Sequence, residues 1–323
     1  MPLGRVRQSR KREIIVVNKL VSIIMPAYNC ADYIADSIRS VQAQTYFNWE
    51  LIVADDKSTD GTAGIARDIA ADDNRIRLLE TDINLGPAGA RNRAIDVAHG
   101  DYIAFLDSDD VWHPDKLKKQ ISFMEQNGYG FTYTAYEKID NHGEPMGIVI
   151  SAPNSVNYTE MLYRGDPIGN STVVYDAEKL GKFHVPDIKR RNDFALWLKM
   201  MHDCDCAYGL NEVLVSYRVH SGSISSTHKL ELMKYHWMLY RDVEGLSNVK
   251  SVAAMTTLVF FKSVKLTGER IQQLGNSLKS KRITEIDPKG IQENRENIIF
   301  ERTEENNVST VIGKNTDTKY AEK

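Results

Sequence analysis

Tyr102-Ile103-Ala104-Phe105-Leu106-Asp107-Ser108-Asp109-Asp110-Val111-Trp112 is the stretch on which the reading of this chain turns. Its apolar opening follows Gly100 and stops abruptly at charge, the pattern of a short buried strand whose C-terminal end opens into an acidic loop. Ligands of open α/β sheets bind at such strand ends. Asp107, Asp109 and Asp110 put three carboxylates within four residues. Left buried and unpaired they would cost roughly several kcal/mol each, which a divalent cation would relieve. Oxygen ligands in so small a number favour magnesium or manganese, with the remaining positions filled by substrate phosphates and water. The competing reading is structural: Asp109 or Asp110 caps a helix beginning near Pro114.

Upstream of this stretch the chain alternates strand and helix. Leu20 to Met25 is an apolar run closed by Pro26, and Ile34, Ile38 and Val41 follow at helical spacing behind Asp32. Trp49 to Val53 is a second run, after which Asp60-Gly61-Thr62 opens a helix carrying Ile65, Ala66, Ile69 and Ala70. Ile76 to Leu79 is a third, and Asn84-Leu85-Gly86-Pro87 leads into a helix through Ala90, Ala94 and Val97. Four βα units in succession predict a parallel, doubly wound sheet.

The strand ends of this half carry polar groups suited to a nucleotide: Pro26-Ala27-Tyr28-Asn29 after the first, Asp55-Asp56-Lys57-Ser58 after the second, and the acidic triplet after the fourth. Neither G-x-G-x-x-G nor G-x-x-x-x-G-K-[ST] is present, so phosphates would have to be neutralised by a metal and by arginine. Arg91 and Arg93 stand near a helix start, a suitable place for a diphosphate.

In combination these residues resemble the family 2 glycosyltransferases of the GT-A fold, in the form typical of bacterial surface-polysaccharide synthesis. The resemblance covers roughly Leu20 to Ser226. It is carried by Val21-Ser22-Ile23-Ile24-Met25-Pro26-Ala27-Tyr28-Asn29, Asp55-Asp56-Lys57-Ser58-Thr59-Asp60-Gly61-Thr62, Asn84-Leu85-Gly86 with Ala90-Arg91-Asn92, and Phe105-Leu106-Asp107-Ser108-Asp109-Asp110, in that order. It implies an α/β fold with a doubly wound, mostly parallel sheet, a smaller mixed sheet on the acceptor side, and C-terminal helices. It also implies that Asp55 reads uracil and that Pro26, Ala27, Tyr28 and Asn29 line the nucleotide pocket. Asp107 would face the ribose, with Ser108 beside it in the donor pocket; Asp109 would hold the metal, and Arg91 would contact the diphosphate.

Past Gln126 the alternation weakens. Phe131 to Tyr136 reads as a strand, Asn141-His142-Gly143 as a turn, and Met146 to Ile150 as the antiparallel partner. Pro167-Ile168-Gly169-Asn170 precedes a further strand, Ser171 to Tyr175, and Arg190-Arg191-Asn192-Asp193 precedes an amphipathic helix with Phe194, Trp197, Leu198 and Met201. The family has a Glu-Asp pair here, its aspartate serving as general base. Asn192 stands where the family has glutamate, which leaves Asp193 as the base by resemblance, against a plain role as helix cap. Val215 to Ser226 contains Tyr217-Arg218-Val219-His220, similar to a family segment that assigns Arg218 to the diphosphate and His220 to the metal shell.

Composition fits an enzyme. The chain has 323 residues, 42% apolar and 26% charged, enough for one sizeable core with appendages or two small ones. A formal net charge of −3 argues against a nucleic-acid partner. Cys30, Cys204 and Cys206 are too few and too odd in number for a disulfide framework, and with His202 they lack the second ligand pair of a zinc finger. A reducing compartment follows. Residues 1–19 form a basic arm, read as disordered; the apolar Ile14 to Val17 is interrupted by Asn18 and Lys19, unlike the core of a signal peptide, so the expected location is cytoplasmic. Residues 20–228 are expected to form the glycosyltransferase domain, 20–126 its nucleotide-binding half and 127–228 its acceptor half. Residues 229–266 are expected to be helical, with Ala253 to Val264 able either to lie on the inner face of a membrane or to pack as a plain core helix, and 267–323 to be a polar, disordered tail. The expected reaction is metal-dependent and inverting: a hexose or hexosamine passes from a UDP-sugar to a growing, lipid-diphosphate-linked saccharide, with Mn2+ or Mg2+ as cofactor. An inactive UDP-sugar-binding module and a sugar nucleotidyltransferase are the alternatives, although the latter would show a glycine- and lysine-rich loop where Pro26 to Asn29 stand.

Overall fold

The structure, a computed structural model, describes residues 18–220 and 229–264. The readings placed on most of the basic arm, on Ser221 to Ser226 and on the polar tail lie outside the described residues. Two compact units divide the chain, one ending at Val259 and the other beginning at Phe260.

The first unit is built on one ten-stranded sheet. Strands β1 (Val21–Ala27), β2 (Trp49–Asp55), β3 (Ile76–Glu80) and β4 (Tyr102–Phe105) are parallel, in the spatial order β3-β2-β1-β4. Helices α1 (Ile34–Gln42), α2 (Thr62–Ala71) and α3 (Gly86–Asp96) connect them. The order reverses at β1, so the topological switch point lies between β1 and β4, where the quoted stretch ends. Alternate residues of the apolar runs serve two cores. Ile24, Ile103 and Phe105 pack with α3 on one face, and Val21, Ile23, Met25, Tyr102 and Ala104 pack with α1 on the other. Burial on both faces explains why these strands read as unbroken apolar runs. Gly100 is required at the entrance to β4, because a Cβ there would lie 2.4 Å from the Ser22 backbone nitrogen.

Beyond β4 the sheet becomes mixed. β5 (Val111–Trp112) pairs antiparallel with β10 (Cys206–Arg218), which runs parallel to β6 (Phe131–Ile139). β7 (Pro145–Ile150) returns antiparallel along β6, as the turn signal predicts, and β8 (Ser155–Asn157) pairs with β10. The acceptor-side strands do not form a second sheet: β9 (Val174–Asp176) is antiparallel to both β4 and β6 and joins the halves edge to edge. The strand expected from Ser171 starts later. Asn170–Thr172 form a 3-10 turn, in which Thr172 Oγ1 donates to the Gly169 carbonyl at 2.7 Å.

The remaining helices are α4 (Lys116–Asn127), α5 (Tyr158–Arg164), α6 (Ala177–Leu180), α7 (Asn192–Met200) and α8 (Lys229–Met238). α7 is not amphipathic: Phe194, Ala195, Leu196, Trp197, Leu198 and Met200 are all buried. After α8, Leu239 and Tyr240 enter the core, and the Tyr240 hydroxyl donates to the Leu162 carbonyl at 2.8 Å, so these C-terminal residues belong to the first unit. Helical residues 248–264 follow; within the first unit Ser251, Ala254 and Leu258 are buried while Val249 and Val252 face outward. Among the described residues no helix is long and apolar enough to cross a membrane.

Candidate active site

The loops after β1 and β2 are stitched together by side chains. Asn29 N–H donates to Ser58 Oγ at 2.9 Å, Thr59 N–H to Asn29 Oδ1 at 2.8 Å, Ala31 N–H to Asp60 Oδ2 at 3.0 Å and Cys30 N–H to Thr62 Oγ1 at 2.8 Å. These bonds hold Asn29 at φ 46° and Lys57 at φ 65°, left-handed values that non-glycine residues adopt only under constraint. Pro26 and Ala27 end β1 at this rim, and the Tyr28 ring stands 53% exposed above it.

Asp55 closes β2 and is 3% exposed. Its Oδ2 accepts from Ser58 N–H at 3.0 Å, and its Oδ1 is buried with no hydrogen-bond partner. A buried acceptor left empty costs about 1–3 kcal/mol, so Asp55 Oδ1 carries acceptor capacity that the described residues do not fill. Sequence reasoning gave the adjacent Asp56 no task. Its Oδ1 accepts from Leu85 N–H at 2.7 Å and thereby fixes the entry to α3.

Arg91 projects from α3 and is 8% exposed. Its Nη2 donates to Asp107 Oδ1 at 2.6 Å and its Nη1 to Asn192 Oδ1 at 3.4 Å. Asp107 Oδ1 also accepts from Asn170 Nδ2 at 2.8 Å. Arg93, the other candidate, instead reaches the Glu80 carbonyl on the surface.

The three carboxylates of the acidic loop have three different environments. Asp107 is partly exposed; its backbone N–H donates to Ser171 Oγ at 3.0 Å. Ser108 turns its carbonyl inward to accept from Ser37 Oγ at 2.9 Å. Asp109 faces His220, with Oδ2 and Nε2 3.0 Å apart, and its pKa is raised by burial and then by the Asp107 charge. Asp110 is buried: Ser171 Oγ donates to it at 2.5 Å and Arg218 N–H at 3.0 Å, and burial pushes its pKa well up. Neither Asp109 nor Asp110 caps a helix, since α4 starts at Lys116 behind Asp115.

Arg218 lies at the end of β10 and is 3% exposed. Its Nε donates to the Asp109 carbonyl at 2.9 Å, its Nη1 to the Asn141 carbonyl at 3.3 Å, and its guanidinium lies 5.0 Å from the Tyr33 ring centre. In this arrangement the guanidinium fastens the acidic loop to the β6–β7 hairpin, while its Nη2 lies 3.6 Å from Asp36 Oδ2. Asn170, Ser171 and Tyr33 were missed in the sequence. Their only signal was a run of polar residues ahead of an apolar strand and an aromatic ahead of a helix.

Asp193 sits in the first turn of α7, where its Oδ1 accepts from Phe194 N–H at 2.8 Å. Arg191, immediately before the helix, is held at φ 62°, the third left-handed non-glycine residue among the described ones. The Arg91–Asn192 contact ties this helix start to the Asp107 loop.

Asp109 and His220 offer one carboxylate oxygen, a ligand type suited to manganese or magnesium, and one imidazole nitrogen, a type more usual for transition metals. Among the described residues no group of three histidine, cysteine or acidic side chains could hold a metal alone. A cation held by this pair would take its remaining ligands from water or a bound substrate. His202 and Cys204 are engaged elsewhere: His202 Nε2 lies 3.0 Å from Glu244 Oε2, and Cys204 Sγ donates to the Met200 carbonyl. A cavity of about 450 Å³ there, past the C-terminal end of α7, lies at the other end of that helix from Asp193.

Comparison with known proteins agrees with this geometry. The profile of Glycosyl transferase family 2 matches residues 22–178. The putative teichuronic acid biosynthesis glycosyltransferase TuaG of Bacillus subtilis (strain 168) is 42% identical over 232 residues, 72% of this chain and 91% of TuaG. The Escherichia coli UDP-Glc:alpha-D-GlcNAc-diphosphoundecaprenol beta-1,3-glucosyltransferase WfgD is 42% identical over 224 residues, 69% of this chain and 86% of WfgD. In three dimensions the chain is similar to Staphylococcus aureus TarS in complex with UDP-GlcNAc, with a TM-score of 0.58 at 20% identity over 75% of this chain and 71% of that one. With its doubly wound sheet, its acidic strand end and relatives this similar over most of their length, the chain belongs to the family 2 glycosyltransferases and has the GT-A fold.

Proposed function

We propose that this glycosyltransferase moves a hexose or hexosamine from a UDP-sugar to a lipid-diphosphate-linked saccharide in surface-polysaccharide synthesis, with inversion of configuration and with Mn2+ or Mg2+ bound. The observation that carries the donor assignment is the buried, partnerless Oδ1 of Asp55 at the same sheet edge as the acidic loop. WfgD, by its name, takes UDP-Glc and an alpha-D-GlcNAc-diphosphoundecaprenol acceptor, which supports the same classes here.

In this reading Asp55 accepts from the uracil imide, Pro26, Ala27, Tyr28 and Asn29 wall the base, and Asp107 with Ser108 lines the ribose side. Arg91 supplies positive charge to the diphosphate. Asp109 and His220 would hold the cation, which when bound offsets charge developing on the departing diphosphate. Asp193 takes the proton of the acceptor hydroxyl as that oxygen bonds to the anomeric carbon and the carbon–oxygen bond to UDP breaks. A single displacement of this kind inverts the anomeric centre. Arg218 acts by holding the Asp109 loop in place. The outward Val249 and Val252 of the last helix, with Lys250 between them, suit peripheral contact at the cytoplasmic membrane face.

Calorimetry of UDP with wild type and Asp109→Ala, with and without manganese, tests the donor site. The expected result is metal-dependent affinity in the wild type that disappears in the variant. Equal metal dependence in both would remove Asp109 from the cation site.

A further inference from the structure

Among the described residues β7 is the one strand with no buried position. Met146, Ile148 and Val149 are 45%, 42% and 56% exposed, and the strand carries no charge from Pro145 to Ile150. An apolar edge strand left in water marks a surface that something else covers. The ladder of β6 fixes where that surface lies. β10 occupies one edge of β6 from Thr132 to Ile139, so β9, at Phe131 and Thr132, and β7, from Tyr136 to Ile139, follow one another along the other edge. The far neighbour of β9 is β4, and the free edge of β7 is therefore turned to the side on which β4 runs out into the acidic loop. Two contacts hold the hairpin there. Arg218 bridges the Asn141 carbonyl of its turn to the Asp109 carbonyl, and Gly169 approaches so closely that a Cβ would lie 3.2 Å from Tyr136 Cε1.

We propose that the exposed side of β7 is the docking surface for the aliphatic chain of the acceptor lipid, with Met146, Ile148 and Val149 holding that chain beside the cleft. The inference rests on the reading above of the acceptor as a lipid-linked diphosphate. A strand from another protein or from a second copy fits this edge poorly. Pro145 has no N–H to give, Gly147 stands at φ 69°, and the register slips between Lys138 and Ile139, so the regular row of backbone groups that strand addition requires is broken. A second copy added there would also extend the sheet toward the acidic loop. A hydrocarbon chain needs no backbone register and gains from apolar area alone. The step from an uncharged strand to a charged loop matches an amphiphile whose head reacts and whose tail stays outside.

The test uses GlcNAc linked through a diphosphate to either a farnesyl or a butyl chain, titrated by calorimetry below the micelle concentration with UDP and manganese chloride present. The wild type should bind the farnesyl probe tighter than the butyl probe by on the order of tenfold. In the triple variant Met146→Gln, Ile148→Thr, Val149→Thr that ratio should fall toward unity, with the affinities for the butyl probe and for UDP unchanged. Threonine keeps the β-branched shape that suits a strand, and all three positions face water, so the variant should melt where the wild type does. Should it unfold, Val149→Thr alone should still lower the ratio by about threefold. A folded triple variant with the wild-type ratio overturns the inference. So does a ratio lost instead in Val249→Ser with Val252→Ser, which would pass the chain to the last helix. A wild-type dimer, measured by light scattering, that becomes monomeric in the triple variant overturns it by placing a second copy on β7. Equal wild-type affinity for the two probes overturns the inference and leaves the acceptor reading standing, whereas failure of the wild type to bind either probe overturns both.

Discussion

The two halves of the cleft are held in different ways. The nucleotide-binding loops are fastened to each other by partners 29–32 residues apart, one βα unit to the next: Asn29 to Ser58 and Thr59, Ala31 to Asp60, Cys30 to Thr62. The acidic loop is fastened from the other half of the chain, by Ser171, Asn170, Arg218 and His220, across 61–111 residues. The first arrangement forms as soon as neighbouring strands pair, whereas the second exists only once β9 and β10 have joined the sheet. The loops after β1 and β2 are therefore held by local ties, and the acidic loop by long-range assembly.

The largest effect expected is on Asp193, the residue proposed above as the base. Asp193→Asn keeps a side-chain oxygen for the Phe194 N–H and so preserves the helix start, but it cannot take up a proton. Turnover should fall by roughly 10²-fold or more while UDP binding persists. Steady-state kinetics beside calorimetry of the same preparation checks this. Wild-type turnover in a folded, UDP-binding Asp193→Asn protein would move the base to another residue and take chemistry out of the acceptor half.

Arg218 gives the next effect and bears on how much could be read from sequence. Its guanidinium serves the carbonyls of Asp109 and Asn141, which carry no side-chain code, so no sequence pattern announces the role. The same holds for Asn170 and for the burial of α7 on nearly all sides: both depend on which strands become neighbours after a long connection. β1 to β4 were legible because unbroken apolar runs ending in charge identify themselves, and the same runs put Asp55 at the end of β2 and Asp109 in the loop after β4. Arg218→Ala should lower stability by about 2 kcal/mol, because buried carbonyls lose their donors, and should lower turnover through a loosened acidic loop. Arg218→Lys, which keeps the charge and loses the fork, should recover little of either. Chemical denaturation of both variants decides, since a residue serving only the diphosphate would leave stability unchanged and let lysine recover binding.

Asp55 is the local counterpart. Asp55→Ala removes an acceptor, Oδ1, with no internal partner and another, Oδ2, that receives Ser58 N–H, so UDP affinity should fall by about 1–3 kcal/mol beside a modest loss of stability at the Ser58 turn. Competition by UDP against TDP and GDP sharpens the point. Loss of the preference for a pyrimidine diphosphate together with affinity would tie Asp55 to the base, whereas a uniform loss for all three would assign it to the loop that Ser58 closes.

The smallest effect lies at the far edge of the nucleotide-binding half and tests how little a purely local tie contributes. Arg75 contacts Asp73 twice, Nη2 to Oδ2 at 2.8 Å and Nε to Oδ1 at 3.0 Å, while its guanidinium stacks 3.7 Å from the Trp49 ring centre. The Arg75 hydrogen bond pulls the Asp73 carboxyl from 3.8 to about 2. A carboxylate whose pKa is lower folded than unfolded stabilises the folded state above the unfolded value, and that contribution fades as pH falls through the folded one. Asp73→Asn should therefore cost stability at pH 7, and the gap between variant and wild type should begin to close below about pH 4 and narrow further toward pH 3. Because the pair reaches solvent, screening limits the cost to about 0.5–1 kcal/mol, well below that of losing Arg218. Thermal unfolding of both proteins from pH 7 to pH 3 measures it. A gap that stays constant across that range would mean that Asp73 acts by shape rather than charge, and a gap as large as that of Arg218→Ala would erase the distinction between local and long-range ties.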